Sequence, residues 1–477
     1  MRSFRKAFSV IILVCMLVSM AVIQGNAFAA DNPVSKVTVT FYGDTGTSKG
    51  FTWHTGLAST HSDLEIVKKC GEVSGCSQAV KPDFSKAIKF LGRYSISTND
   101  PLENVHKVEA TGLKENTTYY FRVGDAALGI WSDVGTFHTA AKNGFLTESF
   151  SFIDLADTQA LDEDEAILSS QTIAKALATV PKAKFIVHGG DVVENGNVEA
   201  QWNWLLGHSQ QSLLNTTILI AAGNHDNNKN AFIEHFDIKP ADSDTNTTTG
   251  AYYSVNYGNT HYVVLNTNEN STIYADFSPE QIQWLKDDVA KARTAGAKWI
   301  IVNMHKGPYT TANHATDSDI MGATGTRTLV APIMADLGID LVLQGHDHIY
   351  ARSKPIKNGA ASPTNKITEM LNGRKIEYSV RPNGTIFLIP ATAGAKVYYK
   401  NKKIDPSYFS LFDVANENSA AVYGPDPADP TRPKRSQIQT FVGITVDDRK
   451  LTAVTYEIDQ NKNNAQPYIV DQFGIVK

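Results

Sequence analysis

Short apolar segments alternate with helical patterns from residue 148 onward, and this alternation limits the possible fold more than any other feature of the sequence. The apolar segments include FSFIDLAD, AKFIVHGGD, TILIAAGNHD, KWIIVNMH and IDLVLQGHDH. Helices are predicted between them, one from about Glu163 to Ala178 and one through Trp202 and Leu206. Alternating strands and helices are typical of layered α/β domains, whose ligand sites lie beyond the carboxyl ends of the strands.

A later helix carries boundary signals at both ends. Ser278 is the predicted N-cap, Pro279 occupies the first helical position, and Gln281 would close a capping box with Ser278. Gly296 marks the exit. These signals predict a helix that begins and ends within this stretch.

The preceding part of the chain, residues 31–141, consists instead of predicted short strands. The segments VTVTF, GFTWHT, LEIVKK, TTYYFRVG and VGTFHT are separated by Gly, Ser, Asn and Asp, and no helical pattern interrupts them. The alternation of Tyr119, Phe121 and Val123 indicates one buried face, and Tyr119 follows a leucine-led turn as in a tyrosine corner. The pattern predicts a small all-β sandwich that resembles a fibronectin type III-like domain, with Trp53 in its core.

The first 30 residues have the pattern of a secretory signal peptide. Three basic residues precede an apolar stretch, and Ala27-Phe28-Ala29 forms a small-x-small cleavage site. The alternative is an uncleaved membrane anchor, which the cleavage site disfavours. We therefore expect a secreted protein, extracellular or associated with the cell wall, without membrane contact after cleavage.

Cysteine content and charge add two constraints. After cleavage only Cys70 and Cys76 would remain, and their spacing suits a loop disulfide in an oxidising compartment, with two buried thiols as the alternative. The 44 Lys and Arg and the 49 Asp and Glu form no long block of one sign. A nucleic-acid duplex is therefore not an indicated partner.

Nearly every apolar segment after residue 148 ends in a side chain that can bind a metal ion. One Asp, Asn or His at a strand end is usually a turn former or a helix cap, but five such endings are difficult to explain by turn chemistry. Mixed carboxylate, amide and imidazole donors suit divalent metals such as Zn, Mn or Fe, and their number exceeds one tetrahedral site, so two ions are implied. The donors are Asp157, Gln159, Asp191, Asn224, His305, His346 and His348.

Two divalent ions in such a site would retain excess positive charge, because Gln159 and Asn224 are neutral donors. That charge would bind a phosphate ester and lower the pKa of a bridging water toward neutrality, so that hydroxide attacks phosphorus in line. The sequence therefore predicts hydrolysis of a small phosphate ester.

Five ordered segments resemble those of the calcineurin-like metallophosphoesterases, namely DTQ at 157, GDVVE at 190, GNHD at 223, NMH at 303 and GHDH at 345. Their order, spacing and strand context match that family over about residues 148–352. With the sandwich in front, the chain resembles the purple acid phosphatase-like branch. The resemblance implies a four-layer α/β domain over residues 148–477, which is a β-sandwich flanked by helices rather than a doubly wound sheet.

The same resemblance assigns the ligands. It implies one ion bound by Asp157, Gln159 and His348, a second ion bound by Asn224, His305 and His346, and a bridge at Asp191.

Two positions depart from the family pattern. Gln159 stands where many members have His, which weakens one ligand. Glu194 stands where purple acid phosphatases have a tyrosinate ligand, so the purple colour and the preference for ferric iron should be absent. Glu194 is instead expected to accept a hydrogen bond beside the site.

His225 is the predicted general acid. It lies between Asn224 and Asp226 in GNHD, where an imidazole oriented by the Asp226 carboxylate would protonate the leaving group. The segment HKGPYTTANH, residues 305–314, resembles a loop over the site. The expected phosphate contacts are Asn224, Tyr309 and His314.

Three functions are compatible with this site. A secreted phosphate monoesterase is favoured, and a phosphodiesterase acting on nucleotides or lipid head groups is the alternative. A non-catalytic binding module is disfavoured because the ligand set and His225 are all present. Residues 400–437, rich in Pro, Asn and Asp, are predicted to form a surface insertion that could shape substrate access. Beyond them, FVGITVDDRKLTAVTYEID predicts a hairpin at Asp447-Asp448.

Overall fold

The computed structural model describes residues 33–69, 82–141, 149–226, 231–241, 248–423 and 436–477. The predicted signal peptide and both Cys70 and Cys76 lie outside the described residues. Among the helices of the described ranges, none is long and apolar enough to cross a membrane.

The N-terminal strands form a β-sandwich. They are β1 Ser35–Thr40, β2 Lys49–Gly56, β3 Asp63–Lys68, β4 Ile88–Leu91, β5 Arg93–Ile96, β6 Glu103–Ala110, β7 Thr118–Asp125, β8 Ile130–Trp131 and β9 Gly135–His138. Strands β1, β2, β6 and β5 lie in one sheet and β4, β3, β7 and β8 in the other, where β9 also pairs with β7. Trp53 is fully buried in the core, and the Tyr119 hydroxyl accepts a hydrogen bond from the Lys114 amide at 2.9 Å. The predicted sandwich and its tyrosine corner are confirmed.

The rest of the chain alternates strands and helices before it ends in antiparallel strands. The strands are β10 Phe150–Leu155, β11 Ala183–His188, β12 Ile218–Ile220, β13 Tyr253–Tyr257, β14 Thr260–Val264, β15 Trp299–Lys306, β16 Leu341–Gly345, β17 Tyr350–Ser353, β18 Ile356–Lys357, β19 Ala360–Ala361, β20 Asn365–Leu371, β21 Arg374–Val380, β22 Ile386–Pro390, β23 Phe412–Val414, β24 Ile438–Val446, β25 Lys450–Asp459 and β26 Tyr468–Val476. The α-helices are α1 Glu163–Thr179, α2 Glu199–His208, α3 Gln210–Leu213, α4 Ala231–His235, α5 Pro279–Thr294, α6 Ser318–Met321 and α7 Ala331–Asp336. Short 3-10 helices lie at Phe84–Lys86, Asn313–Thr316, Pro406–Leu411, Ser419–Val422 and Asn463–Ala465, and a π-helical turn lies at Thr326–Val330.

Two sheets and two helical layers build this second part, as the resemblance implied. Apolar side chains of β10, β11 and β12 pack against those of β14, β15 and β16 in a core between the sheets. Helix α1 covers the outer face of the first sheet through Ile173 and Ala176. Helices α5 and α7 cover the outer face of the second through Leu285, Val289 and Met334. The predicted four-layer fold is confirmed.

One sheet runs through both parts of the molecule. It has 12 strands in the order β20-β21-β26-β25-β24-β10-β11-β12-β1-β2-β6-β5, and β12 pairs in parallel with β1 through Ile218 and Thr40. The second sheet has 7 strands in the order β13-β14-β15-β16-β22-β17-β23. Pairing with β1 covers the edge that β12 would otherwise expose, which removes a site for unwanted strand addition.

Two local predictions need correction. Ser278 does accept a hydrogen bond from the Gln281 amide at 3.0 Å, but the Gln281 side chain does not close a capping box. It is buried and bonds Asn266 and Glu269, while the Ser278 amide donates to the Glu269 carboxylate. The described part of the predicted 400–437 insertion is not only surface loop, because β23 joins the edge of the second sheet beside β17. The hairpin at Asp447 is confirmed by the β24–β25 pairing.

Candidate metal centre

The predicted metal ligands follow the carboxyl ends of parallel strands. Strands β10, β11 and β12 run parallel in the first sheet, and β14, β15 and β16 run parallel in the second. Parallel strands end at the same edge of a sheet, so the segments that follow them meet there. Two neighbouring groups of side chains lie at this edge.

The first group surrounds His305. Its Nε2 lies 3.2 Å from Asp191 Oδ2 and 3.2 Å from Asn224 Oδ1. The ligand atoms of Asp191, His305 and His346 all lie within 4.8 Å of one another, and the rings of His305 and His346 have centroids 5.1 Å apart. These four side chains are therefore close enough to share one ion.

The second group surrounds Asp157. His348 Nε2 lies 3.4 Å from Asp157 Oδ1, which also accepts a hydrogen bond from the His346 amide at 3.1 Å. The amide of Gln159 donates to the Asp191 carbonyl at 3.0 Å, so the backbone ties this group to the first. Asp191 thus contacts the first group through its carboxylate and the second group through its backbone carbonyl.

Backbone carbonyls fix the direction of two imidazoles. His305 Nδ1 donates to the Gly189 carbonyl at 2.9 Å, and His348 Nδ1 donates to the Lys396 carbonyl at 3.0 Å. A carbonyl oxygen can only accept, so the proton of each neutral ring is on Nδ1 and the Nε2 lone pair faces the carboxylates. This is the usual way in which a protein orients a metal-binding histidine.

Two buried oxygen atoms in the centre have no hydrogen-bond partner within the described residues. They are Asp157 Oδ2 and Gln159 Oε1, on side chains that are 0% and 2% exposed. Leaving a buried acceptor unsatisfied costs about 1–3 kcal/mol, and more when the acceptor is charged. A divalent cation would satisfy both atoms, so the donor set fits the metal ions that the sequence implies.

The backbone of four predicted ligands is in the left-handed region. The φ angles of Asp157, Gln159, Asp191 and His346 are 56°, 33°, 52° and 74°. Such conformations cost residues other than glycine about 1–3 kcal/mol each and are concentrated at functional sites. The fold therefore holds these side chains in position at the expense of stability.

The glycines of the predicted motifs are required by close packing around the ligands. A Cβ atom on Gly223 would lie 2.0 Å from Asp191 Oδ1. A Cβ atom on Gly345 would lie 2.9 Å from His305 Nδ1 and 3.1 Å from Asp157 Oδ2. Any side chain at these two positions would displace a predicted ligand.

Electrostatic coupling within the centre is strong. Burial alone would lower the pKa of His305, but the Asp191 carboxylate raises it to about 9. Burial would raise the pKa of Asp191, but His305 and His225 hold it well below its ordinary value. A cation that binds here therefore replaces a proton, which makes metal affinity dependent on pH.

His225 lies beside this centre, but Asp226 does not orient it as predicted. His225 Nδ1 donates to the Glu194 carbonyl at 2.7 Å, and the His225 amide donates to Asp191 Oδ1 at 2.9 Å. Asp226 is fully buried, and its carboxylate accepts hydrogen bonds from the amides of Val192, Val193 and Gly223. The prediction of a catalytic contact from Asp226 is wrong, because those three amides bind its two oxygens.

Of the two predicted phosphate contacts in the 305–314 segment, Tyr309 lies away from the centre and His314 lies beside it. Tyr309 is 2% exposed and packs against Phe387 in the outer core, with ring centroids 4.7 Å apart, so the predicted phosphate contact from its side chain is wrong. His314 does reach the centre, since its ring centroid lies 4.0 Å from that of His346. The sequence pattern 305–314 did not distinguish them, because loop spacing does not determine which side chain faces inward.

Two residues of the centre were not predicted. The Tyr398 ring stacks on His348 with centroids 4.6 Å apart, and Lys396 Nζ lies 3.3 Å from Glu194 Oε2. Both follow β22, whose carboxyl end meets the same edge as β16, with which it runs parallel. The apolar strand GTIFLIP before them was the available signal, although neither residue type indicates a ligand.

Comparison with known proteins agrees with this geometry. Residues 151–350 match the family model for the calcineurin-like phosphoesterases, and residues 34–139 match the model for the purple acid phosphatase N-terminal domain. Purple acid phosphatase 15 of Arabidopsis thaliana is 24% identical over 54% of this chain and 51% of its own length. Purple acid phosphatase 18 of the same plant is 24% identical over 65% of each chain.

A solved structure shows the same fold. The purple acid phosphatase from yellow lupin seeds aligns over 93% of this chain and 74% of its own, with a TM-score of 0.69 and 15% identity. The chain spans about half to two thirds of the length of the first curated relatives that it matches. The two family matches follow one another along the chain, the first over the sandwich and the second over the strands and helices from β10 to β16. The chain therefore carries a calcineurin-like phosphoesterase domain behind an N-terminal domain of the purple acid phosphatase type, and it is similar to the purple acid phosphatases over these residues.

Proposed function

We propose that the protein is a metal-dependent phosphoric ester hydrolase that acts on phosphate monoesters. The observation that supports this most is the meeting of the predicted ligands at one sheet edge, with Asp157 Oδ2 and Gln159 Oε1 buried without a hydrogen-bond partner among the described residues. Two divalent ions bound by these side chains would supply positive charge for the phosphate and lower the pKa of a water molecule. The predicted ligands are Asp157, Gln159, Asp191, Asn224, His305, His346 and His348.

His225 is proposed to protonate the leaving group. Its Nδ1 is held by the Glu194 carbonyl, so Nε2 is the nitrogen that remains for proton transfer. The ring is half-buried, and the His225 amide is bonded to Asp191, which keeps the imidazole beside the predicted bridge. This arrangement is typical of a general acid positioned by the backbone of its neighbours.

A monoester is preferred over a diester on electrostatic grounds. A phosphate monoester carries up to two negative charges and a diester carries one, so the monoester interacts more strongly with two divalent ions. Rates on p-nitrophenyl phosphate and bis-p-nitrophenyl phosphate test this with a common leaving group. We expect a higher kcat/KM on the monoester, and the reverse order would favour a phosphodiesterase.

The metal ions are proposed to be Zn, Mn or Fe(II). Glu194 occupies the position of the tyrosinate ligand, and it bonds Lys396. Tyr398 also lies beside the centre, where its ring stacks on His348, so it is the residue that a purple colour would implicate. We therefore expect the loaded protein to show no strong absorption in the visible, and an intense purple band would indicate a phenolate ligand.

Export is also proposed, from the sequence of residues 1–30 alone. We expect the mature chain to begin near Ala30 or Asp31, where the small-x-small site ends. Mass analysis of the N-terminal peptide from the culture medium tests this. A chain that keeps residues 1–30 and stays with the membrane would support an uncleaved anchor.

A further inference from the structure

A groove lined by lysines opens beside the metal centre. Its volume is about 980 Å³, and its wall is the segment from Lys396 to Lys403. The lysines that line it are Lys396, Lys400, Lys402 and Lys403, and among the described residues Glu417 is the acidic residue of the lining. The whole chain carries a formal net charge of −5, so this surplus of positive charge is local.

The groove is attached to the metal centre by the backbone. The Lys396 carbonyl accepts the hydrogen bond from His348 Nδ1, and the Tyr398 ring stacks on His348. Asn418 Nδ2 donates to the carbonyls of His348 at 2.6 Å and of Tyr398 at 2.9 Å. Asn401 N donates to the Thr311 carbonyl at 2.9 Å. These contacts hold the part of the groove wall near Lys396 and Tyr398 in a fixed position relative to the metal ligand His348.

The four lysines differ in the partners that their ammonium groups already have. Lys396 pairs with Glu194, and Lys400 Nζ donates to the Ala415 carbonyl at 2.6 Å. Lys402 is 85% exposed and lies 3.7 Å from Glu417. Lys403 is exposed, and the described part of the chain places no carboxylate within ion-pair distance of it. The four lysines of the lining therefore face two carboxylates within ion-pair distance among the described residues, those of Glu194 and Glu417, which leaves surplus positive charge in the groove.

We infer that this groove binds a second anionic group of the substrate, so that the preferred substrate is a phosphate monoester that carries a further phosphate. The inference rests on the proposed function, because it assumes that the first phosphate is bound at the metal centre. A singly phosphorylated substrate would leave Lys402 with Glu417 alone, and Lys403 without an anionic partner among the described residues. A second phosphate would contact them while the first remains at the centre.

Alkanediol bisphosphates test the inference. Hexane-1,6-diol bisphosphate and hexyl phosphate have the same leaving group chemistry and differ in the second phosphate. We expect kcat/KM to be about tenfold higher on the bisphosphate, through a lower KM, and the preference to decrease with added salt because exposed charges are screened. Equal kcat/KM values at low salt would overturn the inference.

A groove variant and a control variant test whether the preference for the bisphosphate arises in the groove. Lys402→Glu combined with Lys403→Glu should remove most of the preference for the bisphosphate and change the rate on hexyl phosphate by less than about twofold, since exposed charges act weakly on a distant centre. Lys86 is the control, because it is also 85% exposed and lies 3.8 Å from Asp83 on the sandwich. Lys86→Glu should leave the preference unchanged, and an equal loss in this variant would overturn the assignment to the groove.

Equilibrium binding supplies a readout without turnover. Hexane-1,6-bisphosphonate and hexylphosphonate cannot be hydrolysed at their carbon–phosphorus bonds, and calorimetry measures their affinity for the metal-loaded protein. The bisphosphonate should bind more tightly to the wild type, and the two ligands should bind about equally to the double variant. Hydrolysis of neither ester would mean that the proposed function fails, whereas equal hydrolysis of both would mean that only the groove inference fails.

Discussion

Two buried clusters in this molecule contain the same residue types, histidines and carboxylates, but differ in function. The metal centre combines Asp157 and Asp191 with three histidines, and the second cluster combines Glu199 with His54 and His235. In the second cluster the ammonium group of Lys36 bonds Glu199 and lies 2.6 Å from Glu103. It therefore contains its own cation.

The second cluster connects the sandwich to the helical layer. Lys36 and His54 belong to strands β1 and β2, Glu199 begins α2, and His235 ends α4. His235 Nε2 lies 3.2 Å from Glu199 Oε1, and the His54 and His235 rings stack with centroids 4.7 Å apart. Its carboxylates already have a lysine and histidines as partners, so it needs no metal ion.

The difference teaches that residue type alone does not identify a metal site. Both clusters hold histidine and carboxylate atoms within 4.8 Å of one another. What distinguishes the metal centre is that Asp157 Oδ2 and Gln159 Oε1 lack partners among the described residues, whereas Lys36 occupies the corresponding role in the second cluster. Satisfaction of the buried polar atoms is therefore what separates these two clusters.

The largest expected effect is on activity, from the bridging position of the metal centre. Asp191→Asn should lower kcat/KM on p-nitrophenyl phosphate by on the order of a thousandfold, because it removes negative charge between the two predicted ion sites. Gln159→His should change it by only a few-fold, because imidazole is an equally good ligand. Metal analysis and steady-state kinetics check both, and equal losses in the two variants would contradict the bridge.

The next effect separates the acid from the ligands. His225→Ala should retain the metal ions and lose about 10²- to 10⁴-fold on an alkyl phosphate, but much less on p-nitrophenyl phosphate, whose phenolate departs without a proton. His346→Ala should instead lower metal content and depress both substrates together. The same fractional loss on both esters in His225→Ala would remove His225 from the acid role.

Stability should respond most at the cation of the second cluster. Lys36→Met leaves Glu199 and Glu103 without their buried cation, so the free energy of unfolding should fall by about 3–5 kcal/mol in urea titrations. Lys89→Met is the control, since Lys89 is 65% exposed and lies 3.0 Å from Glu65, and it should cost less than about 1 kcal/mol. Similar losses in the two variants would contradict a larger contribution to stability from the buried Lys36 ion pairs.

The smallest expected effect is a pH dependence from His54. Burial, reinforced by Lys36, lowers the pKa of His54 to about 3, against about 6.5 when unfolded. As pH falls, the unfolded chain therefore takes up a proton on His54 before the folded protein does. The contribution of neutral His54 to the free energy of unfolding is full above pH 6.5 and is lost as pH falls toward 3. Between pH 7 and pH 5 the wild type should lose about 1–2 kcal/mol more than His54→Gln in urea unfolding, and parallel curves would contradict the assigned pKa.

The sequence predicted which side chains meet at this sheet edge, because the signals for them are local. Asp157, Asp191 and His346 each lie within three residues of the end of an apolar strand, and parallel strands end at the same edge. The glycines before Asn224 and His346 are equally local, since a Cβ there would collide with a ligand.

What the sequence did not predict depends on partners distant along the chain. Asp226 was paired with His225 because they are neighbours, yet three amides of two loops bind its carboxylate. Lys36 and Glu199 meet across the two halves of the fold, and each alone has the pattern of an exposed charged residue. No local pattern reports such contacts, because folding decides which buried charges face one another.

The parallel pairing of β1 with β12 has a consequence for how the chain matures. Strand β1 is synthesised early, and its edge has no partner until β12 and the helix before it have emerged. Joining strands so far apart in sequence is slow, and an open edge invites aggregation in the meantime. A fragment that starts after residue 148 would keep the metal ligands but expose the β12 edge permanently. The second part of the chain thus needs the sandwich to cover the edge of its first sheet. Expression of either half alone should give poorly soluble protein.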